Sequence, residues 1–291
     1  MDSIREVLII GGGPAGIAAA IQLKRYGIDT LLIEKQCLGG LLRNANRIDN
    51  YPGFIDGISG IELVALFKKH IEKAGVEVIY DKVVDVFLTE EKYIVKTERR
   101  KLHSKFLIIA TGTRPRLLVD PEVPEDIRDS VYYEIAPILD VKNKEIAIIG
   151  SGDAAFDYAL NLSLKNRVVI FNRKKIIRCI RPLYDECMRN KNIHYIDEAK
   201  LLSFKKSGDK TVISFSQNNE IKKWMCDLLV PALGREPNLE ILNDEILTGC
   251  KMEETLYLVG DVKNGPYRQI AICVGDGIRA AMMINKKRQE M

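Results

Sequence analysis

Val7-Leu8-Ile9-Ile10-Gly11-Gly12-Gly13-Pro14-Ala15-Gly16 runs from an unbroken apolar segment, through a glycine-rich turn, into a helix-like stretch. Four apolar residues in succession read as a strand buried on both faces, as in a parallel sheet. In such a turn the first glycine permits the tight bend and the second lets backbone approach a pyrophosphate. The third lets the helix pack closely on the strand. The bare N–H groups of the helix start then face an anion. Ala15 to Tyr26 forms the helix, Gly27 stops it, and Thr30 to Glu34 returns as a second strand, so the stretch predicts a βαβ unit. Glu34 stands where a carboxylate accepts the ribose hydroxyls of a dinucleotide.

The pattern occurs again. Strand-like Glu145–Ile149 precedes Gly150-Ser151-Gly152-Asp153-Ala154-Ala155, a helix follows to Leu164, and Arg167–Phe171 reads as the returning strand. The acid position is Asn172 here, followed by Arg173, Lys174, Lys175 and Arg178. A carboxylate would repel a 2′-phosphate and these cations would pair with it, so the second fingerprint predicts NADPH over NADH.

Between the fingerprints, Ser59-Gly60-Ile61-Glu62 has capping-box spacing and opens a helix that Gly75 ends, before a strand at Val76–Tyr80. Val83–Thr89, Tyr93–Glu98 and Lys105–Ala110 read as hairpin-connected strands. The second half repeats the plan, with a β-rich stretch over Leu201–Ser216 and an apolar run at Leu228–Leu233. A late strand starting at Leu256 and a helical tail through Ala280 carry no fingerprint, which returns them to the first domain. The expected fold is α/β: two Rossmann-like dinucleotide-binding domains of three ββα layers, 1–113 with 236–291 around the first fingerprint and an inserted 114–235 around the second, for NAD(P)H.

At 291 residues and 46% hydrophobic the chain can bury cores for two domains. Its 44 basic and 40 acidic side chains leave a net charge of +4, too weak a field to favour nucleic acid or an anionic membrane. Met1 and Asp2 lead almost directly into the first strand, leaving no room for a secretory signal. No apolar run approaches the ~20 residues that span a bilayer. A cytoplasmic protein is expected. Cys37, Cys179, Cys187, Cys226, Cys250 and Cys273, like the three histidines, show no metal or CxxC spacing, and no metal site is expected.

As an ordered set spread over the chain, several segments resemble the low-molecular-weight thioredoxin reductase group, class II of the pyridine nucleotide-disulfide oxidoreductases. They are Gly11–Gly16 with Glu34, Gly39-Gly40, Asn50-Tyr51-Pro52-Gly53, Ala110-Thr111-Gly112, Gly150–Ala155, Gly260-Asp261 and Tyr267-Arg268-Gln269. The resemblance implies FAD on Gly11, Gly13, Pro14, Ala15, Gly16, Glu34, Gly39, Gly40, Leu41, Asn50, the Val83 backbone, Ala110, Thr111, Gly112 and Gly260. It adds Asp261 at the ribityl chain and Arg268, Gln269 and Ile270 at the flavin ring. NADPH is implied on Gly150, Gly152, Asp153, Ala154, Arg173, Lys174 and Arg178. A homodimer is implied as well.

The departures concentrate where that group keeps its redox disulfide. The CxxC falls on Tyr133-Glu134-Ile135-Ala136 and the following acid on Pro137. The glutamine after the early glycine pair is Leu41, and the threonine-rich run is Arg43-Asn44-Ala45-Asn46. Tyr133 could stack on the flavin or could be plain core packing. Cys37 could be a packing or a reactive thiol, and Cys179 with Cys187, eight residues apart, could form a regulatory disulfide.

The expected function is hydride transfer from NADPH to FAD and onward to an external acceptor, such as ferredoxin, a quinone, a small disulfide or dioxygen. The alternatives are a ferredoxin/flavodoxin–NADP reductase, a thioredoxin reductase using other cysteines, and a non-catalytic FAD/NADPH redox sensor. The expected macromolecular partner is a small redox protein, ferredoxin or thioredoxin-like.

Overall fold

The computed structural model describes residues 4–89, 92–248 and 254–290. Its contacts divide the chain into two units. The first comprises Met1–Arg43, Asp49–Arg114 and Glu236–Met291, and the second Asn44–Ile48 and Pro115–Arg235.

In chain order the first unit begins with β1 (Arg5–Ile10), α1 (Pro14–Arg25), β2 (Thr30–Glu34), α2 (Gly60–Lys73) and β3 (Glu77–Tyr80). It continues with β4 (Val83–Leu88), β5 (Tyr93–Thr97) and β6 (Lys101–Ile109). β7 (Thr113–Pro115) leads out to β8 (Glu145–Ile149), α3 (Asp153–Ser163), β9 (Arg167–Phe171), α4 (Arg181–Arg189) and β10 (Ile193–Ile196). β11 (Lys200–Ser207), β12 (Lys210–Gln217), β13 (Glu220–Cys226) and β14 (Leu228–Pro231) complete the second unit. β15 (Arg235–Pro237), paired with β7, leads back to α5 (Asp244–Thr248), β16 (Leu256–Leu258) and α6 (Ile270–Glu290).

The sheet of the first unit runs β3-β2-β1-β6-β5-β4, with β16 also on β6. Val7 to Ile10 pairs in parallel with Thr30 to Ile33 on one side and with Phe106 to Ile109 on the other. β6 starts earlier than the sequence pattern suggests because its first half, Lys101–Ser104, pairs antiparallel with β5 while Leu107–Ile109 pairs with β16. Alternation then sends Val7, Ile9, Phe106 and Ile108 into one core with α1 and α6. Leu8, Ile10, Leu107 and Ile109 enter a second core with β4 and β5. Both faces are covered, which is why these strands read as continuous apolar runs.

Two local devices fix the helices. Ser59 Oγ accepts the Glu62 N–H at 3.2 Å and Glu62 Oε2 accepts the Ser59 N–H at 3.1 Å, so the capping box closes at the start of α2. On α6, a Cβ at Gly277 would run into the Ala15 carbonyl oxygen, and Ala19, Ala20, Ala280 and Ala281 are all buried. Only small residues permit α1 and α6 to approach so closely.

The second unit repeats the three layers with a sheet ordered β10-β9-β8-β14 and a meander β11-β12-β13. Ile146, Ile148, Val168 and Ile170 face α3, while Ala147, Ile149, Val169 and Phe171 face the meander. α4, β10 and β13 have no counterpart in the sequence reading. β13 (EIKKWMC) is mostly exposed, and α4 is nine residues long and largely polar, with Cys187 buried and Leu183 and Tyr184 partly so, so neither stands out as an apolar segment. The five-residue segment Asn44–Ile48 packs with this unit rather than with its sequence neighbours. Asn44 Oδ1 accepts the Ala136 N–H at 2.9 Å, and Asp157 Oδ2 accepts the Asn46 N–H at 3.0 Å.

Burial pushes the Asp157 carboxyl from 3.8 up to about 6, with Glu186 and Asp153 adding repulsion against the pull of the Asn46 and Arg47 N–H groups. Between those values the folded protein keeps a proton that the unfolded chain has released, so stability falls as pH rises through the window. The full cost, up to about 3 kcal/mol, is in place above it. Urea titrations of wild type and Asp157→Asn are expected to coincide near pH 4 and to diverge by pH 7.5, with the variant the more stable. A pH-independent difference would contradict the assignment.

Candidate dinucleotide sites

Each unit builds its site from the same backbone collision. A Cβ at Gly11 would strike the Ala110 carbonyl beyond β6, and a Cβ at Gly150 would strike the Ala232 carbonyl beyond β14. A Cβ at Gly16 would meet the Gly11 carbonyl. Gly11 also sits at φ +108°, in the region open to glycine. The turn is thereby pressed against its sheet, and α1 begins directly above it.

α1 opens on Gly13 with no side-chain cap and no acid in its first turn. Its leading N–H groups therefore present a bare positive end to an incoming anion. Glu34, at the end of β2, is buried and bound through both oxygens, Oε2 to the Gly12 N–H at 2.7 Å and Oε1 to the Gln36 N–H at 3.0 Å. These bonds aim the carboxylate and leave further lone pairs for hydroxyl donors. Gly39 donates to the Gly12 carbonyl at 2.8 Å. A Cβ on Gly39 would hit Val64 of α2, and one on Gly40 would touch Gly13. The glycine pair is thus packed onto the fingerprint, with Leu41 in the 3-10 turn Gly40–Asn44 that follows. These features fit the pyrophosphate and ribose of a dinucleotide such as FAD.

Residues far apart in sequence meet in this unit. Asn50 Nδ2 donates to Gln269 Oε1 at 2.9 Å, just ahead of Ile270 at the start of α6. Thr111 donates to the Asn238 carbonyl at 2.6 Å and the Gly112 carbonyl accepts the Asn238 N–H at 3.0 Å. Val83 begins β4, and Gly260 and Asp261 form a 3-10 turn after β16.

In the second unit α3 opens on Gly152, again without a side-chain cap. Asp153 and Ala154 start the helix, and Asp153 Oδ1 accepts the Ile180 N–H at 2.9 Å. Arg178 N–H donates to the Ser151 carbonyl at 2.9 Å, so the basic segment folds back onto the fingerprint. Asn172, at the acid position, is buried and occupied. Its amide donates to the Ile176 carbonyl and the Tyr195 hydroxyl, and its Oδ1 accepts the Lys174 N–H. It shapes the turn, while Arg173, Lys174 and Arg178 are exposed and have no carboxylate partner among the described residues. A separate groove of about 610 Å³, where His194 stacks on Trp224 at 5.5 Å, contains none of these residues.

The residue types at Tyr133–Ala136 are all engaged structurally. The Tyr133 hydroxyl accepts the Leu118 N–H at 3.0 Å, Glu134 pairs with Arg235 at 3.0 Å, Ile135 is fully buried, and the Ala136 N–H binds Asn44. Cys37, Cys179, Cys187, Cys226 and Cys273 are free thiols, and Cys250 lies outside the described residues. The structure does not join Cys179 to Cys187. Among the described residues no His/Cys/Asp/Glu group could hold a metal, and no helix is long and apolar enough to cross a membrane.

The sequence profile of the family described as "Pyridine nucleotide-disulphide oxidoreductase" matches residues 5–277. The chain belongs to that family. A "34.2 kDa protein in rubredoxin operon" of Clostridium pasteurianum is 28% identical, covering 97% of this chain and 96% of its own. The thioredoxin reductase of Bacillus subtilis is 28% identical over 100% of this chain and 96% of its own. Among solved structures, Lactococcus lactis thioredoxin reductase matches with a TM-score of 0.86 at 28% identity, over 99% of this chain and 100% of that one. The chain is thus an oxidoreductase of the thioredoxin reductase type, a family that uses FAD and NADPH.

Three of the five free thiols among the described residues, Cys187, Cys226 and Cys273, are buried, and Cys37 and Cys179 are half-buried. Burial pushes Cys179 up to about 11 and Cys187 and Cys226 up to about 12, and raises Cys273 further. Thiols that stay protonated are poor nucleophiles. Iodoacetamide at pH 7.5, followed by peptide mass spectrometry, is expected to leave Cys187, Cys226 and Cys273 unmodified until the protein is denatured. Rapid labelling of Cys187 in the native protein would contradict its buried, protonated state.

Proposed function

We propose that this chain is an NADPH-dependent FAD oxidoreductase that delivers reducing equivalents to an external small redox protein with no cysteine pair of its own in the path. The observation that carries this reading is the state of Tyr133–Ala136. These four residues stand where relatives are expected to keep their disulfide, hold no sulfur, and are each committed to packing, a hydrogen bond or an ion pair.

In this reading 1–113 with 236–291 is the FAD-binding domain and 114–235 the NADPH-binding domain. The bare start of α1 takes the FAD pyrophosphate, Glu34 the adenosine ribose and the Val83 backbone the adenine. Asp261 takes the ribityl chain. Asn50 and Gln269, already bonded to each other, lie with Arg268 and Ile270 at the flavin ring. FAD, when bound, supplies the hydride-accepting ring system. Gly150–Ala154 takes the NADPH pyrophosphate. Arg173, Lys174 and Arg178 pair with the 2′-phosphate, which the neutral Asn172 does not repel. The reading includes a cytoplasmic homodimer, and the acceptor belongs to the ferredoxin or thioredoxin class, in keeping with relatives named for thioredoxin reduction or a rubredoxin operon.

A second reading keeps thioredoxin as acceptor and uses Cys37, whose sulfur lies 2.7 Å from Arg43 Nη1. It requires thioredoxin-dependent turnover that Cys37→Ser abolishes.

Anaerobic mixing with NADPH is expected to bleach the visible flavin absorbance. In Arg173→Ala/Lys174→Ala, kcat/KM for NADPH should fall about 10- to 100-fold while that for NADH changes little, because only NADPH carries the phosphate. Equal losses with both nucleotides, or no bleaching with either, would overturn the proposal.

A further inference from the structure

Asp261 is gripped from beneath by two residues of α6 that no motif singles out. Cys273 Sγ–H donates to Asp261 Oδ1 at 3.1 Å, and the Asp261 backbone N–H returns a hydrogen bond to the same sulfur. One turn later, Asp276 Oδ2 accepts the Gly260 N–H at 3.0 Å and the Asn264 side-chain amide at 2.6 Å, while Asp276 Oδ1 lies 3.7 Å from Lys263 Nζ. Cys273 thus takes the carboxylate and Asp276 takes the loop on either side of it. Among the described residues Asp261 Oδ2 accepts nothing, which leaves it for a hydroxyl donor. Gly260 sits at φ +75°, and a Cβ there would press on Ala15 and on the Cys273 sulfur, so the turn cannot easily settle elsewhere.

We propose that Cys273 and Asp276 are positioning residues that hold the Asp261 carboxylate in the orientation that binds the polyhydroxyl chain of FAD. The inference rests on the assignment of Asp261 in the proposed function. Cys273 is 7% exposed, and burial with the Asp261 carboxylate beside it keeps its proton in place. The thiol therefore acts as a permanent donor and takes no part in redox chemistry. By occupying Oδ1 it fixes which oxygen faces the ligand.

The test is FAD affinity, read from flavin fluorescence on titration of apoprotein, for Cys273→Ala, Cys273→Ser, Asp261→Ala and Cys273→Ala/Asp261→Ala, with apoprotein melting as a control on folding. Cys273→Ala is expected to weaken FAD binding about tenfold. Cys273→Ser, which keeps a donor, should stay within about threefold of wild type. In the Asp261→Ala background the Cys273 change should add nothing, since its effect passes through that carboxylate. An unchanged affinity in Cys273→Ala, or a loss that persists undiminished without Asp261, overturns the positioning role. If Asp261→Ala itself binds FAD like wild type, the ribityl assignment fails and the positioning role falls with it. A weakened Asp261→Ala beside an unaffected Cys273→Ala removes the positioning role alone.

Discussion

The Ala110 carbonyl oxygen occupies the space a side chain on Gly11 would need, and the Gly11 carbonyl does the same to Gly16. With backbone lying directly on backbone, α1 can start only above the end of β1. Its uncapped N–H groups are thereby left at the carboxyl edge of the parallel strands. The same contact governs what surrounds it: Gly12 aims Glu34, Gly39 docks onto Gly12, and the close packing of α6 at Ala15 steadies the helix whose start must stay bare. Ala232 imposes the equivalent constraint on Gly150 in the second unit. Two glycine turns with uncapped helix starts follow from one steric rule applied twice.

On that shared framework the segment Tyr133–Ala136 carries no sulfur. These four positions, where the resemblance expects a dithiol, hold a tyrosine tied by its hydroxyl, a glutamate in an ion pair, a fully buried isoleucine and an alanine bonded through its N–H. In the second unit Cys187 and Cys226 are buried and Cys179 half-buried, with burial raising all three, and Cys273 in the first is spent on Asp261. The proposed function keeps both glycine-rich turns and dispenses with an internal relay. In the proposed function, reducing equivalents pass to a partner without a protein disulfide between.

Legibility in the sequence tracked how local each cause was. Gly11–Gly16, Glu34, the Ser59/Glu62 capping box and the two-sided apolar strands could be read because spacing along the chain expresses them directly. α4 and β10 could not, because α4 is nine residues long and mostly polar and β10 is four residues long, too short for a period to show. β13 was hidden by its lysines, its inward residues amounting to little beyond Trp224 and Cys226. At the sites, the Asn172 position was legible but its task was not, because the Tyr195 hydroxyl that holds it lies 23 residues away. The Asn50–Gln269 bond and the Cys273–Asp261 contact likewise arise only when distant strands and helices are brought together.

The central claim concerns how many electrons the protein itself can store, and anaerobic reductive titration of the FAD-loaded protein with dithionite counts them. The account predicts complete reduction after two electrons per FAD, with no change in the number of titratable thiols. An uptake of four electrons per FAD, accompanied by two newly exposed thiols, would show a working disulfide and contradict it.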